Sequence, residues 1–122
     1  MSRSAVILMI EDDADIRELL AGRVRRLGVE VETATTGAAG IEKARQLLPS
    51  LVIIDIGLPD IDGWKVIDTL AEDELTRDIP VVVASVTDPR DENPLGVTAH
   101  LVKPIKKGDL EEAVIRTLEQ VD

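Results

Sequence analysis

Short, unbroken apolar runs alternate along the chain with longer segments whose apolar residues recur every three or four positions. Ala5 to Ile10, Leu51 to Ile54 and Val81 to Ser85 are strand-length runs rich in β-branched residues, as expected of parallel strands buried on both faces. Val29 to Ala34 instead alternates apolar residues with Glu30 and Glu32, the pattern of an edge strand half open to water. His100-Leu101-Val102 predicts a short further strand. Between these runs, Ile16, Leu19, Leu20, Arg23 and Leu27 fall at helical spacing, and Leu27-Gly28 closes that helix. Thr36 and Gly37 open a second helix that runs through Leu48 and is stopped by Pro49. Another runs from about Trp64 to Glu72. The last helix carries Leu110, Ala113, Val114, Thr117, Leu118 and Val121 as a one-sided stripe. Thr87 to Pro94 is too polar, and too interrupted by proline, for several regular turns, so a short or irregular fourth helix is expected there. No internal repeat, linker or low-complexity segment interrupts the 122 residues, which read as one domain over 1–122. Right-handed βαβ crossovers then predict an α/β domain, a doubly wound five-stranded parallel sheet with helices on both faces.

Composition narrows the function by exclusion. The chain has no cysteine, which rules out disulfides, thiolate catalysis and Cys-type zinc sites. Its formal net charge of −10 argues against direct nucleic-acid binding, which uses a basic face. The densest basic cluster, Arg23, Arg25 and Arg26, fits a solvated helix face. Met1 to Ser4 followed by a six-residue apolar run is too short for a signal peptide or a membrane span, so a cytoplasmic protein with no membrane partner is expected. Trp64 is the sole aromatic besides His100, which leaves base stacking and flavin binding little to work with.

The acidic residues suggest chemistry. Glu11-Asp12-Asp13 follows the first apolar run and Asp55 follows Leu51 to Ile54. In an open parallel sheet, ligands bind outside the carboxyl ends of the strands. Both acidic groups should therefore converge on one edge, where unscreened carboxylates repel and a hard, oxygen-seeking cation such as Mg²⁺ relieves the repulsion. Asp13 reads instead as the N-cap of the first helix, and Asp60 and Asp62 as turn formers beside Gly63. Ser85 and Lys103 also stand at strand ends, and Lys103 is placed to pair with Asp55. Trp64 is expected to pack at the start of its helix.

Four motifs, each behind its own predicted strand, carry a resemblance. Ile10-Glu11-Asp12-Asp13, Asp55-Ile56-Gly57-Leu58-Pro59-Asp60-Ile61-Asp62-Gly63, Pro80-Val81-Val82-Val83-Ala84-Ser85 and Leu101-Val102-Lys103-Pro104 together resemble the receiver domain of two-component response regulators over essentially the full length. The separations of 43 positions from Asp12 to Asp55 and 30 from Asp55 to Ser85 are usual for that family. The resemblance implies a flavodoxin-like receiver fold with strand order 2-1-3-4-5. It implies that Asp55 is the phosphoacceptor, attacking the phosphorus of a phosphohistidine on a histidine kinase or a histidine phosphotransfer protein. It implies Mg²⁺, or Mn²⁺ in its place, held by Glu11 (through water), Asp12, Asp55 and the backbone carbonyl of Gly57. Ser85 would hydrogen-bond one phosphoryl oxygen, Lys103 would pair with another, and the Lys103-Pro104 bond would be cis. Output would pass to a downstream protein or an attached domain.

The chain departs from the usual pattern in ways that matter for this reading. Val86 stands where Ala or Gly usually follows the hydroxyl residue, and could narrow access to the phosphoryl group. Gly57 replaces a larger residue and opens the opposite side. His100 occupies the switch position normally held by Tyr or Phe, and reads as a partly buried neutral imidazole rather than a pH sensor. Ile105 stands where phenylalanine often follows Lys-Pro. Ser85 to Lys103 spans only 18 positions, a shortening that resembles receivers attached to hybrid sensor kinases. It moves the candidate partner surface to the first and last helices.

A non-phosphorylated, receiver-like interaction module is the alternative. An α/β enzyme or flavin carrier is a third class, but no Gly-x-Gly-x-x-Gly turn follows the first strand. A metal-dependent phosphatase of the same aspartyl-phosphate chemistry would want an acid where Gly57 stands. The chain is therefore not expected to be an enzyme beyond promoting its own phosphorylation and dephosphorylation.

Overall fold

The computed structural model describes residues 5–86 and 97–120. Five parallel strands, β1 (Val6–Ile10), β2 (Glu30–Ala34), β3 (Leu51–Ile54), β4 (Val81–Ser85) and β5 (Val97–Val102), form one sheet in the order β2-β1-β3-β4-β5. Four helices are described: α1 (Ala14–Arg25), α2 (Gly37–Leu47), α3 (Gly63–Glu72) and α4 (Asp109–Gln120). The predicted doubly wound sheet and its order are both present. The expected short or irregular helix between β4 and β5, with Pro89 and Pro94, lies outside the described residues, as does Val121 of the last stripe.

Alternation along each strand splits the core in two. Ile7, Met9, Leu51, Ile53, Val82 and Ala84 face α1 and α4, where Leu20, Val24, Leu110 and Val114 meet them. Leu8, Ile10, Val52, Ile54, Val81 and Val83 face α2 and α3, against Ala44, Val66, Ile67 and Leu70. Burying each large aliphatic side chain in these layers contributes about 1.5–3 kcal/mol. β2 alternates as predicted, with Val31 and Ala34 buried and Glu30 and Glu32 exposed.

Two boundaries and one burial assignment differ from expectation for local reasons. α2 stops at Leu47, and Leu48 turns left-handed at φ 48° as its C-cap before Pro49 is reached. β5 begins at Val97 rather than His100, because Val97 and Ala99 already pair with Val81 and Val82 across a register shift. Leu19, predicted within the buried stripe of α1, is 62% exposed; Leu20, Ala21 and Val24 bury that face instead. α1 itself closes as expected, through Gly28 at φ 88°.

Candidate phosphoacceptor and cation site

The sheet register brings the acidic residues together. Ile10 is paired with Ile54 in the last rung between β1 and β3, so Glu11 and Asp55 leave adjacent strands side by side. The Asp55 N–H donates to the Ile10 carbonyl at 3.0 Å, and the Glu11 N–H to the Ala34 carbonyl at 3.0 Å. On the other flank Ser85 pairs with Val102, and the next residue, Lys103, donates its N–H to the Ser85 carbonyl at 2.8 Å. Asp55, Ser85 and Lys103 are thus set by three neighbouring strands rather than by long loops.

One carboxylate oxygen from each of Glu11, Asp12 and Asp55 lies within 4.8 Å of the others. Glu11 and Asp55 are buried, whereas Asp12 faces water. Lys103 sits between them. Its Nζ is hydrogen-bonded to Glu11 Oε1 and stands 3.4 Å from Asp55 Oδ2. The predicted Lys103–Asp55 pair is therefore present, with Glu11 as a second and closer partner that the sequence did not suggest. Burial pushes the Glu11 carboxyl above its ordinary range, partly offset by the Lys103 hydrogen bond and the Asp13 N–H. Three carboxylates gather here with one lysine paired to two of them, and hard oxygen donors at this spacing fit a small divalent cation.

The other Asp55 oxygen is fixed from the loop. The Gly57 N–H donates to Asp55 Oδ1 at 3.1 Å. A Cβ on Gly57 would find only that oxygen nearby, at 3.9 Å, so this side of Asp55 is open, as the sequence implied. The Lys103-Pro104 bond is cis. Val86 is 73% exposed and lies at the rim, lining an apolar groove with Ile16, Leu20, Pro104 and Ile105. His100 is partly buried, its ring tilted against Trp64 at 39° with centroids 6.0 Å apart. Trp64 packs at the start of α3, 7% exposed.

Asp13 takes the cap read for it, and several other residues do more than their sequence reading. Asp13 caps α1 by accepting the Ile16 N–H at 3.0 Å, and Asp62 caps α3 through the Trp64 N–H at 2.8 Å. Asp60, read as a turn former, instead accepts from Gly37 and Ala38 at the start of α2. Those amides hold its carboxyl below the ordinary range. Arg17 Nη1 donates to the Glu11 carbonyl at 3.0 Å and to the Asp12 carbonyl at 3.4 Å, pinning the acidic turn to α1. Its place one helical turn after the Asp13 cap was the available signal. Arg23 is not solvated; it is paired with Glu111.

Residues 7–115 match the family model described as response regulator receiver domain. The chain is 35% identical over 114 residues to the DNA-binding dual master transcriptional regulator RpaA of Synechocystis, covering 90% of this chain and 46% of that protein. It is 32% identical over 108 residues to the transcriptional regulatory protein PrrA of Mycobacterium leprae, covering 85% of this chain and 46% of that protein. The chain thus spans a little under half the length of these relatives. Among solved structures, a sensor protein from Polaromonas sp. JS666 superposes with a TM-score of 0.89 at 29% identity, over 97% of this chain and 98% of that one. The chemotaxis response regulator CheY4 of Vibrio cholerae superposes with a TM-score of 0.85 over 94% and 99%, and at 23% identity shares the fold.

Proposed function

The chain belongs to the response regulator receiver family of two-component signalling, and on that premise we propose that Asp55 accepts a phosphoryl group from the phosphohistidine of a histidine kinase or a histidine phosphotransfer protein. The observation that carries this reading is the juxtaposition of Asp55 with the Glu11 and Asp12 carboxylates and with the Lys103 ammonium, 3.4 Å from Asp55 Oδ2 and bonded also to Glu11. Phosphoryl transfer depends mainly on positioning and on neutralising charge spread over the equatorial oxygens.

In the proposed step an Asp55 oxygen attacks phosphorus, the P–N bond to the donor imidazole breaks, and the imidazole leaves as the neutral base after taking up a proton. The Gly57 N–H, bonded to Oδ1, orients the carboxylate. The Lys103 ammonium is placed to leave its carboxylate partners for a phosphoryl oxygen, and the Ser85 hydroxyl to donate to another. When bound, Mg²⁺ or Mn²⁺ would supply the remaining positive charge, and Asp12, Asp55, the Gly57 carbonyl and, through water, Glu11 would hold it. No turnover of an external substrate follows beyond self-phosphorylation and hydrolysis of the aspartyl phosphate.

The phosphorylated domain would change its affinity for a downstream protein or an attached domain. The names of the relatives include DNA-binding regulators, and the solved structures include a sensor protein; a place in either kind of longer chain is consistent with this reading. DNA contact is not assigned to this domain, whose charge is −10. Among the described residues no helix is long and apolar enough to cross a membrane, and we place the function in the cytoplasm.

Incubation with Mg²⁺ and acetyl phosphate, followed by intact mass measurement, tests the proposal. One added phosphoryl group is expected in the wild type, none in Asp55→Asn, and Lys103→Ala should weaken the response while sparing Mg²⁺ binding. An adduct that survives in Asp55→Ala would overturn the site assignment. No adduct and no response to a beryllium fluoride complex would favour the unphosphorylated interaction module.

A further inference from the structure

The first turn of α2, Gly37-Ala38-Ala39-Gly40, holds no acidic residue, yet its leading amides are all satisfied. Thr36, the N-cap, accepts from the Ala39 N–H at 3.1 Å. The Gly37 N–H donates to Asp60 Oδ1 at 2.8 Å, and the Ala38 N–H to Asp60 Oδ2 at 3.0 Å. A helix start usually draws such acceptors from its own cap and first turn. Here two come from a loop 23 positions downstream of Gly37. The fit is close: a Cβ on Gly37 would meet Val66 Cγ2 at 2.9 Å, Ile61 Cβ at 3.1 Å and Asp60 Oδ1 at 3.3 Å. The glycine lets the loop lie against the helix.

That loop is the one carrying Gly57. Its base is closed by the Leu58 and Gly63 N–H groups, which donate to the Ile56 carbonyl at 3.0 and 2.9 Å. Its far end is tied to α3 by Asp62. The stretch between is fastened to α2 through both oxygens of Asp60, which fixes orientation as well as distance. Gly57, three residues before Asp60, has no side chain to anchor it, and its own N–H holds Asp55 Oδ1.

We infer that Asp60 is a positioning residue for the cation site: by fastening the β3–α3 loop to the start of α2, it holds the Gly57 backbone and the Asp55 carboxylate in register with Glu11 and Asp12. This rests on the metal reading above. A group bonded directly to a metal ligand typically changes affinity by about 10–100-fold when removed. Asp60 acts one step further away, through the loop, and its effect is correspondingly smaller.

The test is calorimetric titration of MgCl₂ into the wild type, Asp60→Ala, Asp60→Asn and Thr36→Ala, with thermal melts in EDTA alongside. Asp60→Ala should weaken Mg²⁺ binding by about 3–10-fold. Asp60→Asn keeps one acceptor oxygen and should recover most of that loss. Thr36→Ala removes the other cap from the same helix end, so it should lower Tm and leave Mg²⁺ affinity within about twofold. If Asp60→Ala binds as the wild type does, or Thr36→Ala weakens binding equally, Asp60 is only a helix cap and the inference fails. No Mg²⁺ uptake by the wild type would remove the metal reading and this inference with it.

Discussion

Gly57 and Gly63 lie in the same loop but differ in what a methyl group would meet. At Gly57 the added carbon has Asp55 Oδ1 at 3.9 Å and nothing closer, whereas at Gly63 it would sit 2.5 Å from Ile56 Cα and 2.7 Å from the Asp55 carbonyl oxygen. Both of the latter are backbone atoms of the segment that carries Asp55, so neither can swing aside. Gly63→Ala should therefore lose about 2–3 kcal/mol of stability. Gly57→Ala, with no positive φ to strain it, should be neutral or gain about 0.4–1 kcal/mol by restricting the unfolded chain. Urea unfolding of the two variants checks this, and similar midpoints would contradict it. Fold stability thus requires Gly63 but not Gly57. The open space beside Asp55 is a property of the site, not a requirement of the fold.

At the scale of elements, α1 and α4 are stapled across their shared core by a pair with 88 positions between its members. Arg23 Nε and Nη2 donate to Glu111 Oε2 and Oε1 at 3.0 and 2.9 Å, a two-pronged contact. The arginine hydrogen bond pulls the Glu111 carboxyl from its ordinary 4.5 to about 2. A depressed carboxyl contributes stability that is fully present above its unfolded value and lost as pH falls through the folded one. The Glu111 side chain is 25% exposed, so solvent screening limits the contribution to about 1 kcal/mol. Wild type should exceed Glu111→Gln by about that much near neutral pH, and the gap should close between pH 4.5 and about 2; a gap constant across that window would refute the assignment. The staple also marks what the sequence could and could not disclose. β1, β3 and β4 were legible because unbroken apolar runs have few other homes, and β2 because Glu30 and Glu32 must face water. The convergence of Glu11, Asp12, Asp55 and Lys103 was legible because these residues follow β1, β3 and β5 and the parallel register aligns strand ends. Arg23 with Glu111, and Asp60 with the start of α2, were not. Each joins groups distant in the chain, and a lone charge on a helix or in a turn has the same local pattern whether it meets solvent or a partner. The start of β5 was hidden because Thr98 and Ala99 give no strand period until they are laid beside Val81 and Val82.

For the molecule as a whole, the acidic excess acts in two separable ways. A formal charge of −10 repels itself over the entire surface, and that repulsion opposes the compact state. The second component is local, where Glu11, Asp12 and Asp55 cluster and the Lys103 ammonium pairs with Glu11 and Asp55. Salt distinguishes them. Going from about 0.01 M to 0.15 M NaCl shortens the screening length from about 30 Å to about 8 Å, which relieves surface repulsion but scarcely touches charges that are buried and in contact. Lys103 with its carboxylates and Arg23 with Glu111 are enclosed, and the exposed pairs that salt weakens, Arg45 with Asp73 and Arg116 with Glu112, each contribute little, so relief of repulsion should win. NaCl should thus raise Tm by roughly 3–6 °C, equivalent to about 1 kcal/mol for a domain of this size. MgCl₂ at matched ionic strength should add a further increment, growing with concentration as expected for a ligand of the folded state. Asp12→Asn should keep the NaCl response and lose the Mg²⁺ increment, since it removes one of ten excess charges but one of only three carboxylates at the site. If Asp12→Asn retained the whole Mg²⁺ effect, the ion would be acting on the surface at large, and the acidic edge of the sheet would not be a cation site.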